Sequence, residues 1–370
     1  MLELDPVGGA GLDPMARALV VARRGDHQTS PNPMVGAVVA RDGRVVAEGH
    51  HARAGDPHAE IVALEHAGAA SEGAHLYVTL EPCCHWGRTG PCTETLLQAG
   101  LAAVHVATLD PNPKVAGQGV ARLRQAGLEV VLGEREAEAQ ALIEEFRVWV
   151  TTGIPFVTLK FAASLDGKVA TAAGRSQWIT SSRSRERAHQ LRREHDAVMV
   201  GSGTVLADDP RLTARGGHPA DRQPLRVVVD GRLRTPPGAR LLGEPEGRVL
   251  IATTSGSDRG RRDAIARAGA EVLELPEGDG RVSLEALLAE LGRRQVTSVL
   301  VEGGPTLLGS FLERRLGNRL VAFLAPLLLG GSGAPGPFGG PGVDDLEAGW
   351  ELRSLRAEPV GRDLLLVAEV

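Results

Sequence analysis

The sequence has few cysteines and no long apolar run, and each absence excludes a class of protein. Only three of its 370 residues are cysteine, all between Cys83 and Cys92, so they cannot form a distributed disulfide framework. No stretch approaches the roughly 20 apolar residues of a membrane span. The N-terminus also lacks a basic segment followed by an apolar one. We therefore expect a cytoplasmic protein that does not bind a membrane.

The charge balance argues against a nucleic-acid-binding protein. The formal net charge is -5 and no long basic run is present, so the chain lacks the positive stretches that hold phosphate backbones. Lysine occurs only at Lys114, Lys160 and Lys168, so nearly all of the positive charge is carried by arginine. We expect a small-molecule partner and no nucleic acid.

The length of 370 residues exceeds the usual single-domain range, which predicts two domains with separate cores. In the first, strands and helices alternate, which predicts an α/β layer sandwich. Asp13, followed by proline, caps one helix, and Asp42-Gly43 forms the turn of a hairpin. Asp56 and Pro57 are expected to cap and open the helix that contains HAEIVALEHAG.

We place the boundary between residues 1–153 and residues 154–370. In the second part, short apolar strands such as FVTLKFAAS, LRVVVD and SVLVEGG alternate with helical stretches such as SLEALLAELGRR. This alternation predicts an α/β domain with a mostly parallel sheet that is covered on both faces.

A histidine and the three cysteines carry the strongest chemical signal. His58 and Cys92 lie near predicted helix starts and Cys83 follows a strand, and helix N-termini stabilise thiolates. One imidazole and two thiolates leave the fourth position of a tetrahedral zinc ion open for water, whose pKa zinc lowers to about 7. Glu60, two residues beyond His58, is placed to carry the proton. The arrangement predicts a zinc-hydroxide deaminase.

The spacing departs from the zinc deaminase signature H-x-E followed by P-C-x-x-C. Eight residues, CHWGRTGP, separate Cys83 from Cys92, and we interpret this longer loop as a specificity element. Three alternatives stay open: Cys84 in place of Cys83 as the ligand, a closed structural zinc site, and cysteines that bind no metal and pack as small hydrophobic residues.

The second domain shows no G-x-G-x-x-G in residues 156–185, but it has another candidate phosphate site. In SVLVEGGPTLLGSFL a strand is followed by Glu302-Gly303-Gly304-Pro305 and then by a helix. Small residues let a diphosphate approach the backbone, and a helix start offers amide groups to its charge. Taken alone, the junction is more typical of a tight turn without a ligand.

Several stretches together resemble the bifunctional riboflavin biosynthesis proteins. SPNPMVGAVVARDGRVVAEGHH, GDPHAE, TLEPCCHWGRTGPC and DPNPKVAGQG resemble the deaminase half, and KFAASLDGKVA, GRSQWITS, GTVLADDPRLTAR and VEGGPTLLGSFL are similar to the reductase half. The resemblance implies a cytidine-deaminase-like α/β/α sandwich followed by a dihydrofolate-reductase-like α/β domain. It also implies deamination of 2,5-diamino-6-(5-phosphoribosylamino)pyrimidin-4-one and then reduction of its ribosyl group to ribityl by NADPH.

The resemblance also assigns residues to roles. For the deaminase it implies zinc ligands His58, Cys83 and Cys92, the proton carrier Glu60, and substrate contacts Asn32, His51, Arg88, Asp110 and Asn112. For NADPH it implies Ala162, Trp178, Thr204, Asp208, Gly304, Pro305, Thr306, Leu307, Leu308, Gly309 and Ser310. For the reductase substrate it implies Ser176, Arg192, Leu212, Arg215 and Glu302.

Some of these residues have other interpretations. On turn chemistry alone, Asn32 and Asn112 suit turns, because each precedes a proline. Asp208 is a candidate proton donor for the reductase, and it suits a turn equally well. Most arginines of SSRSRERAHQLRREH are expected on a solvated helix face.

Two rival functions follow from the same residues. One is a deaminase of free bases or tRNA fused to another reductase, which the acidic charge and the long cysteine loop disfavour. The other is a zinc-stabilised nucleotide-sensing module, for which only Cys84 or His85 offers a fourth ligand, at poor spacing. The resemblance further implies a homo-oligomer, either a dimer or a tetramer.

Overall fold

The computed structural model describes residues 13–86, 90–216, 222–245 and 247–370. The chain divides into two units, Met1–Gly153 and Ile154–Val370. Within the described residues, no helix is both long and apolar enough to cross a membrane.

The first unit contains a five-stranded sheet with helices against it. In chain order its described elements are α1 (Pro14–Ala22), β1 (Gly36–Arg41), β2 (Arg44–His50), α2 (Ala59–Ala67), β3 (His75–Val78), α3 (Cys92–Gln98), β4 (Ala103–Val106), α4 (Gln118–Gln125), β5 (Glu129–Leu132), α5 (Glu136–Leu142) and α6 (Glu144–Thr152), with 3-10 turns at Arg23–Gly25 and Gly68–Ser71. The strand order is β2-β1-β3-β4-β5. β1 is antiparallel to β2 and β3, and the last three strands are parallel.

Alternate residues of these strands enter two separate cores, one on each face of the sheet. Val39 and Leu76 belong to the core that also holds residues of α2, α3 and α4, whereas Val38 belongs to the core that holds residues of α1. Because side chains alternate across a strand, this division places helices on both faces. The predicted α/β/α sandwich is confirmed.

Local chemistry sets two of the predicted elements. The carboxylate of Asp13 accepts hydrogen bonds from the amides of Met15 and Ala16, which caps α1. Asp42 and Gly43 have φ values of 50° and 71°, which suits the two-residue turn between β1 and β2. The helix start and the hairpin are therefore confirmed.

The predicted start of α2 is wrong. The helix begins at Ala59 with His58 at its N-cap, rather than at Pro57 with Asp56 as the cap. Nδ1 of His51 lies 3.2 Å from the carbonyl oxygen of Pro57, and this hydrogen bond holds Pro57 against a neighbouring strand and outside the helix. As a result, His58 lies at the helix N-terminus and Glu60 lies in the first turn.

Gly49 lets α2 pack closely on β2. A Cβ atom at this position would lie 2.3 Å from the Ala59 carbonyl oxygen and 2.4 Å from the Ala63 amide nitrogen. Only glycine permits this approach, which brings the N-terminal turn of α2 onto the sheet.

The second unit contains a nine-stranded sheet. Its described elements are β6 (Phe156–Ser164), α7 (Ser182–Glu194), β7 (Ala197–Gly201), α8 (Ser202–Asp208), β8 (Leu225–Val229), α9 (Arg240–Gly243), β9 (Val249–Thr254), α10 (Arg259–Arg267), β10 (Glu271–Leu275), β11 (Glu277–Gly278), β12 (Arg281–Val282), α11 (Leu284–Arg293), β13 (Ser298–Val301), α12 (Pro305–Glu313), β14 (Arg319–Ala325), β15 (Ser354–Val360) and β16 (Asp363–Glu369), with a 3-10 turn at Leu346–Ala348. The strand order is β10-β9-β8-β7-β13-β6-β14-β16-β15, and a separate hairpin pairs β11 with β12.

This sheet is parallel from β10 to β14, and β16 and β15 continue it in antiparallel fashion. Alternate residues of β7 enter different cores: Met199 packs with residues of α11 and α12, and Val198 packs with residues of α7 and α10. The mostly parallel sheet covered on both faces is therefore confirmed.

Three segments differ from what their sequences predict. The apolar pattern of DAVMVGSGT predicts a strand throughout, but the strand ends at Gly201 and α8 begins at Ser202. The pattern of EREAEAQALIEEFRVWVTTG predicts one helical stretch, but it forms two helices, α5 and α6, which adjoin at Ile143. The hairpin of β15 and β16 was not predicted, because β16 joins the sheet by pairing with β14, and β15 pairs in turn with β16.

Candidate active sites

The structure brings His58, Cys83 and Cys92 together in the first unit. One potential ligand atom from each of the three lies within 4.8 Å of the other two. Nδ1 of His58 is 3.2 Å from Sγ of Cys92 and 3.6 Å from Sγ of Cys83. Cys84 is not part of this group, so the fold selects Cys83 as the neighbour of His58.

The two cysteines of the group differ in acidity. Hydrogen bonds from the Cys92 thiol and from His58, together with the Cys92 amide at 3.3 Å, lower the pKa of Cys83 to about 4 against the effect of burial. Its hydrogen bond to Cys83, reinforced by burial, raises the pKa of Cys92. These hydrogen bonds therefore stabilise the thiolate form of Cys83. A cation bound between the two sulfur atoms would also favour the thiolate form of Cys92.

Glu60 is a buried carboxyl beside this group. Only 3% of its surface is exposed, and burial raises its pKa, while His58 and a hydrogen bond with Cys92 act in the opposite direction. A carboxyl group of raised pKa takes up a proton more readily than an ordinary carboxyl group does. Its location next to the potential metal ligands fits the predicted proton carrier.

Asn32 and His51 form one hydrogen-bonded unit against His58. Nδ2 of Asn32 lies 3.0 Å from Nε2 of His51, and the rings of His51 and His58 meet edge to face, 5.4 Å apart. Burial lowers the pKa of His51, which keeps it neutral. His51 then donates from Nδ1 to Pro57 and accepts from Asn32 at Nε2, so both polar side chains have fixed orientations.

The loop after β4 is attached through a residue that the sequence analysis missed. The buried carboxylate of Glu81 accepts hydrogen bonds from the amides of Asp110, Gly117 and Val120. Asp110 in turn accepts from the Asn112 amide at 2.8 Å, and burial raises the pKa of Asp110 to about 6. The position of Glu81 in the sequence could have suggested a role in the site, because it directly precedes Pro82 and Cys83.

The remaining predicted deaminase residues are placed as follows. The Asn112 side chain accepts from the Lys114 amide at 3.1 Å, so it does support a turn, as turn chemistry alone suggested. Arg88 lies outside the described residues.

In the second unit, a cleft of about 1630 Å³ collects most of the predicted reductase residues. Those that line it are Ala162, Ser176, Trp178, Arg192, Thr204, Asp208, Leu212, Arg215, Glu302, Gly304, Pro305, Thr306, Leu307, Leu308 and Ser310. Gly309 is the exception among the predicted set. A Cβ there would lie 1.9 Å from the Gly339 carbonyl oxygen, so this glycine serves close packing.

Arg192 and Glu302, which both line the cleft, bind each other. Nε and Nη2 of Arg192 donate to the two carboxylate oxygens at 2.7 and 2.9 Å, and Nζ of Lys160 lies 3.5 Å from the same carboxylate. Burial opposes ionisation, yet the two cations hold the pKa of Glu302 well below its usual range. The sequence analysis did not identify Lys160 as a site residue. It could have done so, because lysine occurs only three times in this arginine-rich sequence.

A second missed residue, His189, lies near the predicted contact Arg215. Burial, together with Arg192 and Arg215, lowers the pKa of His189 to about 4, and its Nδ1 lies 3.2 Å from the Thr213 carbonyl oxygen. Burial and the neighbouring Arg192 also lower the pKa of Arg215. This end of the cleft is therefore electropositive and suits an anion.

The glycine turn and two linked polar residues also line the cleft. Gly304 is the N-cap of α12, and Pro305 is its first residue. A Cβ on Gly303 would lie 2.8 Å from Leu307, and one on Gly304 would lie 3.3 Å from Oγ1 of Thr204, so the turn packs closely against both residues. Oγ of Ser176 donates to Asp208 at 3.1 Å, which connects two predicted contacts.

Comparison with known proteins gives matches in both halves. Residues 155–366 match the family described as the RibD C-terminal domain, and residues 12–108 match the cytidine and deoxycytidylate deaminase zinc-binding region. The riboflavin biosynthesis protein RibD of Aquifex aeolicus (strain VF5) is 42% identical over 352 residues, which cover 95% of this chain and 96% of that protein. RibD of Escherichia coli (strain K12) is 43% identical over 363 residues, with 95% and 97% covered.

Solved structures give the same result. Acinetobacter baumannii RibD, form 1, superposes with a TM-score of 0.88 at 39% identity, covering 96% of this chain and 97% of that one. A crystal structure from Thermotoga maritima superposes with a TM-score of 0.84 at 37% identity and the same coverage. Its name is diaminohydroxyphosphoribosylaminopyrimidine deaminase/5-amino-6-(5-phosphoribosylamino)uracil reductase.

Proposed function

The chain belongs to the RibD family of riboflavin biosynthesis proteins, and from that membership we propose how its two sites divide the work. It is a bifunctional enzyme, a deaminase and a reductase, with zinc and NADPH as cofactors. Residues 1–153 are the deaminase domain, which replaces a ring amine of the diaminopyrimidine ribonucleotide by oxygen and releases ammonia. Residues 154–370 are the reductase domain, which converts the ribosyl group of that product to ribityl.

The donor set of the first unit fits zinc. One imidazole and two sulfur atoms are the ligand types zinc prefers, and three protein ligands leave a tetrahedral position open. When bound, zinc lowers the pKa of water to about 7 and so supplies a nucleophile. His58, Cys83 and Cys92 would hold the ion, and the low pKa of the Cys83 thiol makes it a thiolate before the ion binds.

Glu60 transfers the protons of the deamination. Its raised pKa favours uptake of a proton by the carboxylate: Glu60 takes one proton from the attacking water and passes it to the ring nitrogen, then takes the second from the hydroxyl group added to the ring and passes it to the departing amine. Burial excludes bulk water from this carboxyl group, so the proton is delivered locally. The proximity of this buried carboxyl group to the His58, Cys83 and Cys92 cluster is the observation that carries the proposal.

Asn32 and His51 orient the substrate ring. Because the Asn32 amide group donates to His51, its Oδ1 atom is directed to accept a hydrogen bond from the pyrimidine. Asp110 and Asn112 border the same site from the loop attached to Glu81, and Arg88 comes from the loop between the cysteines.

The second cleft fits NADPH. Gly303 and Gly304 line the cleft at the start of α12, where a diphosphate would meet the amide groups of a helix N-terminus, and Trp178 offers a 68% exposed aromatic side chain. Among the described residues that line the cleft, Ser257 has a buried Oγ with no hydrogen-bond partner, which suits a polar group of a ligand. When bound, NADPH supplies the hydride.

The electropositive end of the cleft holds the reductase substrate. Arg192 is bound to Glu302, so its charge is already compensated, whereas Arg215 lies beside other arginines and favours an anion. We therefore assign the substrate phosphate to Arg215. The same cleft is lined by the paired Glu302 and Lys160 and by the hydrogen-bonded Ser176 and Asp208.

A two-step assay tests this division. Zinc-loaded protein is given the diaminopyrimidine ribonucleotide with and without NADPH, and the products are identified by mass spectrometry. We expect ammonia and the deaminated ribonucleotide without NADPH, and the ribityl product once NADPH is added. Glu60→Gln should slow deamination by about 10²–10⁴-fold and leave reduction of supplied deaminated substrate intact. Loss of both activities in this variant would contradict two separate sites.

We also propose that the chain forms a homo-oligomer, a dimer or a tetramer, through one face of its last three strands. Leu324, Leu364 and Pro359 lie opposite one another across β14, β16 and β15, and Leu366 lies opposite Ala357 on the same face. Leu355, next to them, is 60% exposed. A contiguous apolar sheet face of this kind is typical of an interface. Light scattering of the native chain and of Leu355→Lys tests it: a monomeric native chain or an unchanged variant would contradict the proposal.

A cytoplasmic location completes the proposed function. The described cysteines, Cys83, Cys84 and Cys92, are unpaired, as suits a reducing compartment. Fractionation of cells that express the untagged protein tests the location, and recovery outside the cytoplasm would contradict it.

A further inference from the structure

A second group of potential metal ligands lies in the first unit, on the sheet face that packs against α1. Nδ1 of His75 lies 3.0 Å from Nε2 of His105, and Nδ1 of His105 lies 2.8 Å from a carboxylate oxygen of Glu134. None of the three belongs to the His58 cluster, and the proposed deamination uses none of them.

The sheet holds the two imidazoles in place. His75 is the first residue of β3 and His105 the third of β4, and the parallel register places Tyr77 directly opposite His105. The Tyr77 ring stacks on the His105 ring with centroids 4.1 Å apart, which fixes the plane of the imidazole. Ligands on neighbouring strands of one sheet need little rearrangement to bind an ion.

Glu134 fixes the tautomer of His105. Because the carboxylate can only accept, Nδ1 of His105 carries the proton and Nε2 keeps its lone pair, which points towards His75. A carboxylate behind an imidazole is the usual partner of a metal-binding histidine, since it orients the ring and increases its basicity. His75 is exposed, so it can exchange the proton of its Nδ1 with water.

The two nitrogen atoms that face each other are close enough to bind one ion. Their separation of 3.0 Å is that of a hydrogen bond in which Nδ1 of His75 donates to Nε2 of His105. A divalent ion of the kind that imidazole binds would replace this proton, and water would complete its coordination. We infer that His75 and His105, supported by Glu134, form a second metal site for a divalent transition-metal ion, for which Ni²⁺ is the probe.

Calorimetric titration with Ni²⁺ tests the inference on the zinc-loaded, untagged full chain, with released zinc measured in parallel. We expect one Ni²⁺ per chain to bind without zinc release and to raise the unfolding temperature. His75→Gln, at an exposed position, and His105→Gln should both abolish this binding. Glu134→Gln should weaken it by about 10–100-fold.

His66→Gln is the matched control, because His66 is another exposed histidine of the same unit, with Nδ1 at 2.9 Å from the Glu48 carbonyl oxygen. It should bind Ni²⁺ as the native chain does. Unchanged binding in His75→Gln and His105→Gln would overturn the inference, and so would zinc release in proportion to the bound Ni²⁺. Deaminase activity of each variant serves as the check on folding.

Discussion

The guanidinium group of Arg192 donates two hydrogen bonds to the carboxylate of Glu302, which lies 110 residues further along the chain. Side-chain exposures of 14% and 8% put this pair largely out of water, and Lys160 adds a second cation. The pair connects α7 to the turn that follows β13, so it joins the substrate end of the cleft to the glycine turn. Two residues that the sequence suggested as separate substrate contacts thus act as one unit.

Glu302→Gln should destabilise the second unit and abolish reduction. The substitution leaves Arg192 and Lys160 without their shared anion, and breaking a buried ion pair costs about 3–5 kcal/mol. Denaturant unfolding measures the loss. Glu244→Gln, which breaks the more exposed pair with Arg211, should cost about 0–1 kcal/mol. Equal losses in the two variants would show that the buried pair has no special role.

Cys83→Ser and Cys84→Ser should differ in zinc binding. Cys83 lies against His58 and Cys92, whereas Cys84 does not belong to the group. We expect Cys83→Ser to bind zinc at least about 100-fold more weakly than the native chain does. This loss exceeds the one that follows when a residue that only hydrogen-bonds a metal ligand is replaced. Cys84→Ser should retain zinc and deaminase activity. Metal analysis after dialysis against a chelator decides between them, and zinc loss confined to Cys84→Ser would reverse the assignment.

Gly49→Ala should impair the deaminase through packing. The added methyl group would meet the backbone of α2 at Ala59 and Ala63, and such overpacking costs about 1–3 kcal/mol. Displacement of α2 also moves His58 and Glu60, so deamination should fall while reduction persists. The control is Gly238→Ala, where a Cβ would have no neighbour within 4 Å. Steady-state rates of both reactions measure the effect, and a parallel loss of reduction would contradict the local explanation.

His189→Gln should reduce the loss of stability at acidic pH. Burial, together with Arg192 and Arg215, lowers the folded-state pKa of His189 from 6.5 to about 4. The unfolded chain therefore binds the proton more readily, and stability is lost as the pH falls from 6.5 towards 4. The native chain should lose about 1 kcal/mol more than the variant between neutral pH and about pH 5, a value reduced for solvent screening. Denaturant unfolding at both pH values measures it, and identical pH dependence in the two proteins would contradict the prediction.

Local signals made much of the fold predictable. The Asp13 cap and the Asp42-Gly43 turn depend on neighbouring residues only, and both form as expected. The start of α2 was not predictable in this way, because Pro57 is held outside the helix by His51. The strand pairing of β14, β16 and β15 likewise depends on partners far apart in the chain.

The sequence by itself determined the alternation of strands and helices, and the spacing of His58, Glu60, Cys83 and Cys92 indicated a zinc deaminase. These features are encoded in short stretches, where caps, turns and periodicity act between near neighbours. Only the tertiary structure decided that Cys83 rather than Cys84 meets His58, and that Arg192 and Lys160 share Glu302. It also decided that His75 meets His105. The physical reason is that strand order and register bring these side chains together across distances at which no local pattern acts.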